Sequence, residues 1–331
     1  MTEQNDSELL KAGVLKFTPI YKTVIWGGDA ISRLKGEPVV EQCVGESWEI
    51  SAVPGHESVV AEGPLAGKSI PELMAMFGAD FVGRVPMERF GDTFPLLIKL
   101  IDARHNLSVQ VHPDDKLARE RHDSPGKTEM WYVVACRPGS HIYCGLKAPL
   151  SREEYPACAS DGSIMQRIAA HDSAPGQFYY IPAGTLHAIG AGNLIAEVQQ
   201  TSDITYRVYD YGRVDADGNP RELHTELAAD AIDFRFPNET EPTAKSFPDG
   251  KDGAVSCPYF NVDLVPPGKT VLVGDNPDSF TIIMTVGGEA RIQPAYSRGI
   301  DLHRGHTVLL PAIARAHRLI AKADTLVITI K

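Results

Sequence analysis

Cysteine is scarce in this sequence, with five residues in 331. The number is odd and no two stand in a Cys-x-x-Cys pair. That argues against a disulfide framework and against a cysteine-built zinc site, and leaves reduced thiols as the expectation. Cations are also in deficit: 32 Lys and Arg face 43 Asp and Glu, a formal charge of −11. Such a surface repels phosphate backbones and anionic lipid, so neither nucleic acid nor a membrane is expected as a partner. An anionic ligand would have to be met by local positive charge. No apolar run approaches the ~20 residues of a membrane helix. The opening MTEQNDS has neither the basic start nor the apolar core of a signal peptide, and a cytoplasmic protein is expected.

What is present is turn and strand. The chain holds 24 prolines and 29 glycines, enough for many short elements. Residues 94–101 (FPLLIKLI) read as a buried strand. In 107–112 (LSVQVH), Leu107, Val109 and Val111 alternate with Ser108, Gln110 and His112, which puts the two sets on opposite faces. Further strands are expected over 46–51, 129–134, 177–181, 194–199 and 205–211. This density suggests a mainly β sandwich or barrel. Helical insertions are expected at about 69–77, 114–122 and 151–170, the last opening on a Ser-Arg-Glu-Glu capping signature. Residues 234–253, rich in Pro, Asp and Lys, read as a linker between an N-terminal part (1–233) and a C-terminal part (254–331).

The C-terminal part weakly repeats the middle. Gly176-Gln177-Phe178-Tyr179-Tyr180-Ile181-Pro182 is echoed by Gly305-His306-Thr307-Val308-Leu309-Leu310-Pro311, and each run leads through a small-residue turn to a histidine, His187 or His317. Two copies of one β unit give two barrels. The second lacks an upstream His/Glu pair, so a structural role is expected for it.

The strongest local signal is Gln110-Val111-His112-Pro113, then Glu129, then His187. Two imidazoles, a carboxylate and an amide oxygen suit zinc or another divalent ion. Taken alone, each histidine reads more readily as a surface or satisfied core residue than as a ligand, as the others do. The pattern Gly-x5-Pro-x-Gly-x2-His from Gly176 to His187 resembles a cupin metal motif, although the paired histidines of the first cupin motif are absent.

Several segments together are more specific. Trp26-Gly27-Gly28, residues 45–51 (GESWEIS), 94–99 (FPLLIK), 107–115 (LSVQVHPDD), 126–132 (GKTEMWY), 181–187 (IPAGTLH) and 202–207 (SDITYR) resemble, in order and spacing, the type I mannose-6-phosphate isomerases in their short bacterial form. The resemblance spans roughly 14–215 and implies a double cupin fold with one zinc ion. The implied ligands are His112, Glu129 and His187, with Gln110 as a fourth. It also implies interconversion of mannose 6-phosphate and fructose 6-phosphate through an enediol(ate). Arg207 matches the family's catalytic arginine, and Lys127 and Asp203 match residues implicated in proton transfer or substrate contact.

Each of these residues also has a plainer reading. Arg207 could stack on Tyr209 and Tyr211, and Lys127 could be a solvated turn residue. Lys99 could meet the substrate phosphate or lie buried with a partner such as Glu49. Ser108 could bind phosphate or a nearby backbone group, and Glu197 could support a ligand or be an ordinary sheet carboxylate. A cupin oxygenase with Fe(II) in a His112/Glu129/His187 triad, or a non-catalytic sugar-binding cupin, are the alternatives. Oligomeric state, monomer or homodimer, is not readable.

Overall fold

The computed structural model describes residues 9–39, 43–214, 218–236, 253–294 and 298–331. Strands dominate, as the turn-rich sequence implies. A six-stranded sheet runs in the order Phe178–Ile181, Glu129–Cys136, Asn193–Gln200, Leu96–Ala103, Val44–Ile50, Ile20–Gly28. A five-stranded sheet faces it, in the order Ile168–Asp172, His141–Leu146, His187–Ile189, Val109–Val111, Tyr206–Tyr209. Ile101, Trp131, Val133, Cys144, Ile189 and Ile195 pack between the two sheets.

Period-two alternation sends the other residues of these strands outward. From the six-stranded sheet, Ile98, Leu100, Met130, Tyr132 and Val198 join a core with Ile282, Met284 and Leu326 of the C-terminal part. The helix Ile70–Phe77, entered through a Ser69/Glu72 capping box, adds Leu73, Met74 and Phe77 to it. From the five-stranded sheet, Val109, Val111, Tyr206 and Val208 pack under the helices Tyr155–Asp161 and Thr225–Ala231. The central strands are therefore buried on both faces, which is why they read as nearly continuous apolar runs.

The C-terminal part has the same plan. Its larger sheet places Thr307–Leu310, Thr281–Thr285, Thr325–Thr329 and Asn261–Val265 side by side. Its smaller sheet runs Thr270–Val273, His317–Ala321, Ala290–Gln293, Ile300–Leu302. Thr281 faces Leu310 as Glu129 faces Ile181, and His317 faces Val273 as His187 faces Gln110. The sequence repeat is thus a repeat of topology.

Several expectations need correction. Leu107 precedes its strand and packs between the sheets, away from Val109 and Val111. The insertion expected over 151–170 stops early: a helix at Tyr155–Asp161 and a 3-10 turn at Ser163–Gln166 give way to the strand Ile168–Asp172. The helices Ala30–Lys35, Arg84–Phe90 and Thr225–Ala231 are additions that the sequence reading does not contain. Leu15–Lys16 pairs with Thr307–Leu310, so the N-terminal segment reaches into the second barrel's sheet. Phe234 packs against Tyr155 and belongs to the first barrel's helical layer, while residues 237–252 of the expected linker lie outside the described residues.

Candidate active site

Pro113 lacks an N–H and ends the strand Val109–Val111, leaving His112 at its mouth. Glu129 opens its own strand, and His187 opens another after the turn Pro182-Ala183-Gly184. The three meet between the sheets. His112 Nε2 lies 3.3 Å from Glu129 Oε2, and His187 Nε2 lies 3.4 Å from Glu129 Oε1. All three are fully buried, and one donor atom from each fits within 4.8 Å of the others. Among the described residues this is the one such group of His, Cys, Asp and Glu.

The imidazoles are oriented from behind. His112 Nδ1 donates to the Ile204 carbonyl at 2.9 Å and His187 Nδ1 to the Thr185 carbonyl at 2.8 Å. A carbonyl only accepts, so in each ring Nδ1 carries the proton and Nε2 presents a lone pair to the centre. Trp131 lies edge-on to the His187 ring at 5.4 Å and donates to Glu197 Oε1 at 2.8 Å. Glu129 Oε1 and His187 Nε2 are buried without a hydrogen bond, and Glu129 Oε2 has only the ion pair to Lys127. Buried polar atoms left so cost several kcal/mol unless something binds them, and a divalent ion fits this donor set.

The electrostatics agree. Burial, then the charge of Lys127, pushes the His112 pKa down to about 3. Burial likewise lowers that of His187. Burial alone would raise Glu129, but Lys127, His112 and His187 outweigh it and hold the carboxyl well below its usual range. Two neutral imidazoles and a carboxylate are the protonation states a metal requires.

Lys127 is buried here, not solvated on a turn. Its Nζ lies 3.2 Å from Glu129 Oε2 and 3.1 Å from His112 Nε2. Gln110 stands directly opposite His187 on one side and Arg207 on the other, so the three side chains share the inner face of the five-stranded sheet. Arg207 donates from Nη1 to the Glu222 carbonyl at 2.8 Å, and its backbone N–H reaches His224 Nδ1 at 2.9 Å. It does not stack on tyrosine: Tyr209 and Tyr211 pack on each other, and Arg213 lies over Tyr211. Asp210 beside it holds Arg213 and Arg221.

Lys99 is buried, but not with Glu49. It pairs with Glu197 at 3.2 Å and Glu46 at 3.6 Å, under the Trp48 ring, and these carboxylates hold its pKa up against burial. Glu49 takes Lys35 instead, at 2.6 Å. Ser108 is buried, and Asp203 is exposed in the irregular segment before the strand Tyr206–Tyr209. Sequence reasoning misses Glu46 and the Ile204 and Thr185 carbonyls. The carbonyls carry no side-chain signal, but Glu46 lies within the 45–51 motif.

Residues 14–130 match the family model for the phosphomannose isomerase type I catalytic domain. Mannose-6-phosphate isomerase ManA of Bacillus subtilis is 36% identical over 84% of this chain and 87% of its own. The chain belongs to the type I phosphomannose isomerases. The mannose-6-phosphate isomerase of Streptococcus mutans is 35% identical over 87% of this chain and 89% of its own. The crystal structure of the Bacillus subtilis mannose 6-phosphate isomerase superposes with a TM-score of 0.82 at 33% identity, covering 96% of this chain and all (100%) of that one. A variant of the Salmonella typhimurium phosphomannose isomerase superposes at 0.79 with 15% identity over 97% of this chain, a likeness of fold alone. The oxygenase and non-catalytic alternatives fall away with this membership.

Proposed function

We propose that the protein interconverts mannose 6-phosphate and fructose 6-phosphate, using one zinc ion held by His112, Glu129 and His187, with Gln110 as a fourth ligand. The observation that carries the reading is a buried donor set in which Glu129 Oε1 and His187 Nε2 hold no hydrogen bond and Glu129 Oε2 meets Lys127, beside the arginine of a type I family member. When bound, zinc supplies Lewis acidity toward the sugar oxygens, where negative charge gathers as the C2 proton leaves.

The chain's own residues do the rest. His112 and His187 are fixed by the carbonyls behind them, so their lone pairs need no reorganisation. Lys127, 3.2 Å from Glu129 at the edge of the donor set, moves the proton between C2 and C1 in this reading. Arg207, two strands from His187 on the same face, stabilises the developing enediol(ate) or grips the phosphate with a charge that survives at any working pH. Lys99 is engaged by two carboxylates, and one of them, Glu197, also holds Trp131 against the His187 ring. A coupled assay for fructose 6-phosphate tests this reading: turnover is expected from the purified enzyme and lost in His187→Ala. Undiminished turnover in that variant would overturn it.

A further inference from the structure

The second barrel reaches into the loop that carries Lys127. Tyr259, in the turn before the strand Asn261–Val265, donates its hydroxyl to Asp115 Oδ2 at 2.7 Å. The other oxygen of Asp115 accepts from the Gly126 backbone at 2.9 Å and from Gln200 Nε2 at 2.8 Å. Gln200 Oε1 in turn accepts from the Thr128 backbone at 2.8 Å. The residues on either side of Lys127 are thus pinned, and its own N–H is held by the Pro113 carbonyl at 3.1 Å. Gly126 has no room for a side chain: a Cβ there would meet the backbone of Asp114 and Asp115 at 2.6 Å. The loop sits flush against the start of the helix Asp115–His122, and Asp115 is the joint between that helix, the loop and the second barrel.

We infer that Tyr259 and Asp115 are positioning residues for Lys127, so that the second barrel, which supplies none of His112, Glu129, His187, Lys127 and Arg207, sets the placement of the ammonium beside Glu129 and His112. A carboxylate bridging three donors is rigid only while all three hold it. Losing the tyrosine hydroxyl frees Asp115 to rotate, and the Gly126 contact loosens with it. Lys127 then samples positions away from its two partners, while His112 and His187, held by the Ile204 and Thr185 carbonyls, and Glu129, held by its strand pairing with Ile181 and Gln199, stay put. The inference rests on the catalytic reading of Lys127 given above.

The test is Tyr259→Phe, compared with Asp115→Ala in the full-length, metal-loaded enzyme. Amide hydrogen exchange at Gly126 and Thr128 should quicken in both variants. With mannose 6-phosphate, kcat should fall about 10-fold in Tyr259→Phe and further in Asp115→Ala, with bound metal unchanged and KM within about 2-fold, the pattern of a lost transition-state contact. Asp115→Asn should rescue, because its carbonyl still accepts from Gly126 and Gln200 while its amide donates to the tyrosine oxygen. Exchange at Gly126 and Thr128 unchanged in both variants would overturn the inference, as would a change confined to KM. If Tyr259→Phe weakens the barrel contact itself, seen as a lower Tm, Asp115→Ala decides the question from the loop side. If the wild-type enzyme fails to turn over the sugar phosphate, the functional reading falls, and the exchange result still decides whether the clamp exists.

Discussion

His187 and Gln110 are direct cross-strand partners on the inner face of the five-stranded sheet, and this pairing ties the third expected ligand to the fourth. A contact of this kind should show in metal affinity before it shows in fold. Gln110→Ala is expected to keep its Tm and to weaken metal binding by about 10–100-fold, on the scale seen when residues supporting a metal site are lost. Competition with a chelator of known affinity measures it. Unchanged affinity would remove Gln110 from the metal site.

Arg207 shares that face, opposite Gln110. Arg207→Lys is expected to retain metal and fold and to lose about 10²-fold in kcat, the scale of one charge-stabilising donor. Steady-state kinetics separates the two roles available to it. A rise in KM at constant kcat would assign the residue to the phosphate and not to the reacting oxygens.

Lys99 sits buried between Glu197 and Glu46. Removing one partner of a buried ion pair leaves an uncompensated charge, worth about 3–5 kcal/mol. Lys99→Met should lower the unfolding free energy by that order in urea, whereas Lys99→Met combined with Glu197→Gln should recover part of the loss. Equal losses in the single and double variants would show that the pairing is not what holds these groups.

Stability of the metal-free protein should depend on pH through the two histidines. Burial lowers the folded pKa of His112 from 6.5 to about 3 and lowers that of His187 as well. Below 6.5 the unfolded chain takes up protons that the folded chain refuses, so stability falls as pH drops toward the folded values. His112 contributes about 1.4 kcal/mol per pH unit across that window, and His187 acts in the same direction. Urea unfolding of the chelator-treated protein at pH 7.5 and 5.5 should therefore differ by about 1–3 kcal/mol, with the higher value at pH 7.5. A flat profile would mean that the imidazoles protonate in place.

Much of this is legible in the sequence because it follows from local rules. Alternation in 107–112 puts Gln110 and His112 together, and the turn at 182–184 delivers His187 to a strand start. The repeat around His187 and His317 predicts a shared topology, which the strand pairings show. What escapes is set by tertiary partners. Nothing local says that Lys99 prefers Glu197 and Glu46 to Glu49, because that choice depends on strand order: Lys99 faces Glu197 on one side and Trp48 on the other. Likewise Leu107 is alternation-compatible with Val109, but the chain before Val109 is not yet strand, so its side chain turns inward. The backbone carbonyls that orient the two imidazoles leave no trace in residue type.

The second barrel repeats the topology of the first with other residues: Thr281 and Val273 stand where the first barrel has Glu129 and Gln110. One metal per chain is therefore expected, and His317→Ala should leave metal content and kcat intact. Elemental analysis of the purified variant checks this, and a loss of metal there would move a binding site into the C-terminal part.

A single zinc centre is tested by titrating zinc into the metal-free enzyme and following the rate of fructose 6-phosphate formation from mannose 6-phosphate. The rate should start near zero, rise in proportion to added zinc and break sharply at one equivalent per chain. Full activity before any zinc is added, or a rise that continues to a second equivalent, would contradict a single metal centre at His112, Glu129 and His187.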